Sequence, residues 1–193
     1  MKKLFFLIVL SILLLGQSDY YQNIDPSKST FIQDLQTLIR NNYTKIPYDQ
    51  YETTILADYE SSDAGDGKRK VTCVYSGEVY VYTPPFSWGY FSREHTWCHS
   101  WMPTYSSKTG NEYSDQHHLF PTNQNKANGV RNNHPLGNVI TITSSYLGCK
   151  YGKNENDKPV FEPREEHKGD AARALLYMSL MYNGVNNKNW TFN

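Results

Sequence analysis

The amino terminus constrains this chain more than any other stretch. Lys2 and Lys3 precede an apolar run from Leu4 to Leu15, and Gly16-Gln17-Ser18 follows. A short cationic start, an apolar centre and small residues beyond it form the pattern of a secretory signal peptide. The run is shorter than the ~20 residues that a membrane-spanning helix needs, so residues 1–18 are expected to be a leader cleaved after Ser18. What then folds is residues 19–193, long enough for one domain with its own core and too short for two of ordinary size. No later segment is apolar enough to span a bilayer. The mature protein is therefore expected to be secreted or periplasmic, and a monomer.

Compartment and charge narrow the function. Without Lys2 and Lys3, the 19 basic residues fall to 17 against 19 acidic ones. Non-specific affinity for nucleic acid comes mostly from Lys and Arg neutralising phosphates, so any such binding is expected to be weak and salt-sensitive. A local basic surface would require Lys68-Arg69-Lys70, Lys126, Arg131, Lys150 and Lys153 to cluster in space. Cys73, Cys98 and Cys149 in an oxidising compartment predict one disulfide and one free thiol, with all three pairings open.

The pattern along the chain is α+β. Thr30 followed by Gln33 reads as a capping box, opening a helix with Phe31, Leu35, Leu38 and Ile39 on one face. A weaker helical pattern runs from Tyr48 to Tyr59 and ends in a loop, Ser61 to Gly67. Val71 to Tyr75 and Val79 to Tyr82, joined by Ser76-Gly77, predict a hairpin, which Pro84-Pro85 stops. Tyr90 to Ser100 and Asp115 to Phe120 read as further strands, the second ended by Pro121. A helix is expected over Thr122 to Asn132, then a strand from Val139 to Thr143 and a long polar loop. A last helix is predicted from Gly169 to Tyr182, with Asp170 near its positive end and Gly184 just past its close.

All six histidines lie between His95 and His167, and four of them (His95, His99, His117 and His118) fall within 24 positions. Two short strands and a helix would bring together Glu94 and His95, His117 and His118, and Asn128. A carboxylate and an amide oxygen are hard ligands suited to Mg²⁺ or Ca²⁺. A neutral imidazole is a good base for deprotonating water near neutral pH, and a cation stabilises charge that builds on a phosphate. His95 is therefore expected to be the general base, with Glu94 and Asn128 holding Mg²⁺ (Mn²⁺ and Ca²⁺ being alternatives). Adjacent strand residues point to opposite faces, so Glu94 and His95 share a site only where the backbone bends or at the strand's end.

Four ordered blocks carry a family resemblance. They are Arg93-Glu94-His95 with Ser100-Trp101; Asp115-Gln116-His117-His118-Leu119-Phe120-Pro121; Asn128 through Gly137; and Phe161-Glu162-Pro163 with Lys168-Gly169-Asp170-Ala171-Ala172-Arg173. In that order they resemble the bacterial endonuclease I family, within the ββα-metal (His-Me finger, HNH-like) nucleases, over roughly residues 30 to 183. The resemblance implies a ββα-metal finger embedded in a mixed scaffold of short strands and helices. It implies Glu94 and Asn128 as metal ligands, His95 as the residue activating water, and His117 and His118 on the finger's second strand. The implied activity is secreted endonucleolytic hydrolysis of DNA, and of RNA as an alternative, with little sequence specificity. Arg93, His118 and Arg131 are the expected substrate contacts, and Arg173 is expected to be structural. Two departures stand out: Pro121 to Asn128 is one residue longer than the commoner spacing, which brings Asn125 into contention, and the family's usual C-terminal segment is lacking.

Two other readings compete. Cys98, His99 and one of His117 or His118 have the ligand types of a structural zinc site, without a matching spacing. A non-catalytic nucleic-acid-binding or structural module on the same scaffold would bind nucleic acid and need no metal. Trp97 and Trp101 are expected in the core rather than stacked on bases.

Overall fold

The computed structural model describes residues 19–191, so the expected leader and its cleavage site lie outside the described residues. The chain divides after Tyr43 into two units. In the first, a short turn at Asp19–Tyr21 precedes helix α1, Phe31–Asn41. The capping box does not form there. Thr30 is already in a helical conformation, and its hydroxyl bonds the Asp34 carboxylate at 2.9 Å instead of capping a backbone N–H.

The second unit combines helices with three antiparallel sheets, the α+β class expected. A 3₁₀ turn at Tyr48–Gln50 leads into helix α2, Glu52–Glu60, wound with i→i+5 bonding. The first sheet has the order β1 (Ser61–Gly65), β2 (Lys68–Thr72), β3 (Val79–Tyr82). The predicted hairpin is β2–β3, and Gly77, at φ 81°, supplies the left-handed residue of its turn. The loop expected from Ser61 to Gly67 is instead largely β1, paired with β2. Its polar residues hid it, because four of its five positions are exposed and no burial period shows.

The second sheet pairs β4 (Phe91–His95) with β5 (Leu119–Asn123), placing Glu94 opposite Phe120. Pro121 lies inside β5 rather than ending it. A two-stranded sheet is all edge, and an edge tolerates a residue without N–H; the Pro121 carbonyl is used by Val74 N at 3.1 Å. Helix α3 follows at once, residues 124–131, in the two pieces Gln124–Asn128 and Gly129–Arg131. The Asn123 side chain accepts from Asn125 N and Lys126 N and caps it. Asn132, in the left-handed conformation, closes it.

The long polar loop predicted after residue 143 is in fact most of a third sheet. Here β6 (Thr141–Tyr146), β7 (Cys149–Lys153) and β8 (Pro159–Glu162) pair in order. Most of β6 is exposed on both faces, so backbone pairing rather than burial of alternate residues makes it a strand. Helix α4, Glu165–Tyr182, starts four residues before the predicted Gly169. Glu165 and Glu166 therefore occupy its first turn, and Asp170 falls in its second. Gly184, at φ 82°, follows its end.

One core joins the three sheets and α2: Tyr51 and Leu56, Val71 and Tyr75, Phe91 and Leu119, and Cys149 and Phe161 are all buried within it. Cys73, Cys98 and Cys149 are free, buried thiols, so the expected disulfide is not formed. Among the described residues no helix is long and apolar enough to cross a membrane.

His167 of α4 is buried between the Tyr75 and Phe120 rings, with Nε2 unpartnered. Burial pushes its pKa from 6.5 down to about 4. The unfolded chain therefore binds the proton first. This contribution to stability is complete above pH 6.5, declines as pH falls towards 4, and changes no further below that. Unfolding free energies from urea titrations across this window are expected to fall more for the wild type than for His167→Leu, by up to about 3 kcal/mol.

Candidate active site

The alternation of β4 sorts the predicted residues into two groups. Ser92 and Glu94 share one face, and Asn128 Nδ2 donates to Ser92 Oγ at 2.6 Å, so Asn128 lies beside Glu94's side of the strand. Asn125 is exposed at the start of α3, where its backbone N–H is taken by the Asn123 cap. Glu94 Oε1 accepts from Arg131 and, at 3.3 Å, from the Tyr75 hydroxyl. Asn128 Oδ1 accepts no hydrogen bond from the described residues, whereas the Glu94 carboxylate also draws on the His95 backbone N–H.

Arg131, expected at substrate phosphate, is completely buried beneath this face. Besides Glu94, it donates to His95 O at 2.9 Å and Thr96 O at 2.7 Å. Burial opposes its charge, but Tyr75 and Glu94 outweigh that and raise its pKa. Burial also pushes the Glu94 carboxyl up, and the Arg131 guanidinium pulls it back. The guanidinium therefore anchors the carboxylate and the end of β4 together.

His95 is on the other face, at the last residue of β4, only 8 % exposed. Its ring lies between Tyr48, stacked at 5.5 Å, and Tyr113 and His118, at 4.7 and 5.1 Å. Nε2 is 2.9 Å from the Tyr113 carbonyl. A carbonyl only accepts, so the proton sits on Nε2 and the lone pair on Nδ1. Burial, reinforced by His118, pushes the imidazole pKa down to about 3, which keeps the ring neutral. Arg93 shares this face but is held by scaffold: it donates to Tyr48 O at 2.7 Å and lies over the Tyr48 ring at 4.0 Å.

The two neighbouring histidines differ. They lie on a 3₁₀ turn, Gln116–His118, just before β5 rather than on the strand. His118 is fully buried, with Nε2 donating to Glu112 O at 2.9 Å. His117 has 60 % of its side chain exposed and is held by Asp115, 2.8 Å from Nδ1. Asp115 is the organising residue that sequence reasoning passed over. Buried, it accepts from His117 and from the Tyr177 and Tyr182 hydroxyls of α4 at 3.1 and 2.6 Å. Burial opposes its ionisation, yet these bonds hold its carboxyl below the usual range. Its place at the head of the Asp115–Pro121 block, two residues before a histidine, was the available signal; the tyrosines are more than 60 residues away.

Trp97 is buried as expected, whereas Trp101 is 36 % exposed, with Arg131 5.5 Å from its ring. Arg173 pairs with Asp170 on the surface at 2.5 Å. Among the described residues no three or more His, Cys, Asp or Glu side chains converge as a metal-binding group, so Cys98, His99 and His117 or His118 are not gathered into a zinc site.

Arg131→Ala would leave Glu94 and two carbonyls buried without their donor. Urea denaturation is expected to show a loss of about 3–5 kcal/mol.

Comparison with known proteins places this arrangement. The sequence profile of endonuclease I matches residues 27–192. An extracellular ribonuclease of Bacillus amyloliquefaciens is 28% identical over 169 residues, which is 86% of this chain and 54% of the relative. An extracellular ribonuclease of Bacillus subtilis (strain 168) is 35% identical over 96 residues, 50% of this chain and 31% of the relative. The chain thus spans about half the length, or less, of these relatives. No solved structure matches. With its family profile covering most of its length, the chain belongs to the endonuclease I family.

Proposed function

We propose that this protein is a secreted, metal-dependent nuclease that hydrolyses phosphodiester bonds of RNA and DNA. The observation that carries the proposal is the strand–strand–helix unit β4–β5–α3. It sets a neutral imidazole with its lone pair on Nδ1 at the end of one strand, and a carboxylate and an amide together on that strand's helix side. The two Bacillus relatives, named as extracellular ribonucleases, support RNA as a substrate and an extracellular location.

In this reading β4–β5–α3 is a ββα-metal finger. Glu94 Oε2 and Asn128 Oδ1 would hold one Mg²⁺, for which Mn²⁺ or Ca²⁺ are substitutes; few protein ligands suit a cation that keeps most of its waters. When bound, the cation supplies positive charge against the charge developing on the phosphate. His95 takes a proton from the attacking water at Nδ1, while the Tyr113 carbonyl holds Nε2–H and so fixes the tautomer. Arg131 positions Glu94 and the turn after His95, rather than reaching substrate. Among the predicted contacts, Arg93 lies over Tyr48, which stacks on the His95 ring, and His118 lies 5.1 Å from that ring.

The test is degradation of plasmid DNA and single-stranded RNA by purified protein. His95→Ala is expected to lower the rate about 10²- to 10⁴-fold with folding intact, and EDTA to abolish it. Asn128→Ala should raise the Mg²⁺ concentration required. A folded wild type that leaves both polymers intact in Mg²⁺, Mn²⁺ and Ca²⁺ would sink the proposal.

A further inference from the structure

On the far side of α3 lies a cavity of about 210 Å³ that the chemistry above does not use. Lys126 and Val130 of α3 form one wall; Tyr146 of β6 and Lys150 and Tyr151 of β7 form the other; and Phe161 of β8 lies at its apolar base. Lys126 and Val130 are four apart and share a helix face, whereas Asn128, between them, points to Ser92 on β4. The cavity is therefore about one helix width, roughly 10–12 Å, from Asn128.

Its lining has a definite chemistry. One face of Tyr151 is taken by the His134 ring, stacked at 4.8 Å. No ring among the described residues stacks on Tyr146, whose only partner over the ring is Lys126 Nζ at 5.9 Å. Glu78 occupies the hydroxyl end of Tyr146, and the ring is partly buried against the core. Lys150 is shared with Glu162 at 3.6 Å and is still 42% exposed, while Glu162 has Lys168 at 2.8 Å as a closer partner. The exposed Ser144 adds a hydroxyl at the rim. A half-buried aromatic face flanked by two ammonium groups complements a flat base joined to phosphates. The volume is below the ~300–1,000 Å³ of sites that enclose a drug-sized ligand, and so suits one base with its sugar and phosphate outside.

We propose that this cavity is a subsite for one unpaired base of a single-stranded nucleic acid, stacked on Tyr146 with the adjoining phosphates at Lys126 and Lys150. The inference rests on the nuclease reading and refines its substrate. A base must leave its duplex to enter, so single strands bind in preference to duplex. The strand occupying the subsite also passes α3 on its way to Asn128.

Fluorescence anisotropy of labelled oligo-dT, oligo-rU and a duplex of equal length tests this in EDTA, where no hydrolysis is needed. The wild type is expected to prefer both single strands over the duplex. Tyr146→Leu, which keeps an apolar side chain against the core, should weaken single-strand binding about 5- to 100-fold, the range for losing one stacked base. Lys150→Ala, at a more exposed position, should weaken it and flatten its salt dependence. Equal affinity for duplex and single strands, or unchanged single-strand binding by both folded variants, would overturn the subsite. A protein that binds single strands through these residues but cuts nothing upholds the subsite and counts against the nuclease reading alone.

Discussion

The buried guanidinium of Arg131 is the contact on which the geometry of the site depends. It sits at the C-terminal end of α3 and reaches the Glu94 carboxylate and the backbone carbonyls of His95 and Thr96. A charge this deeply buried needs a counter-ion and carbonyl dipoles, and they meet both terminal nitrogens of the guanidinium, leaving only Nε without a partner. Meeting them fixes three things together: the helix against the strand, the rotamer of Glu94, and the path of the chain as it leaves β4. A lysine offers a single ammonium and not the planar fork that spans a carboxylate and two carbonyls.

From that anchor the division of labour across β4 follows. Glu94 and Asn128 stand on the helix side, while His95 stands on the opposite side in a nest of aromatic and imidazole rings. His95 is the last residue of the strand. Burial keeps the imidazole neutral, and the Tyr113 carbonyl decides which nitrogen carries its proton. Asp115 supports this arrangement from behind, tying the turn that carries His117 and His118 to two tyrosines of α4.

Much of this was legible in local sequence. The β2–β3 hairpin showed because Ser76-Gly77 separates two runs of β-branched and aromatic residues, and the closing helix showed because Gly184 follows a long helical stretch. Of the third sheet only the start of β6 showed, within the strand expected from Val139 to Thr143; β1 and the rest of β6 are exposed and polar and carry no burial period, and β7 and β8 are short strands set in a polar stretch. Cysteine arithmetic misled for a related reason: an oxidising compartment permits a disulfide, but only the placement of Cys73, Cys98 and Cys149 decides whether one forms.

By itself, the sequence determined the family, through blocks whose order survives in the chain, and the types of residue available for chemistry: one carboxylate, one amide and a cluster of imidazoles. Tertiary structure alone decided their roles. Arg131, which sequence assigned to phosphate, became an internal anchor, and His118, grouped with His117, was buried while its neighbour stayed exposed. The physical reason is that charge and hydrogen-bonding capacity belong to a residue, whereas burial and partners are set by segments distant in the chain. Arg131 meets Glu94 across 37 positions and Asp115 meets Tyr182 across 67, distances over which no local pattern carries information.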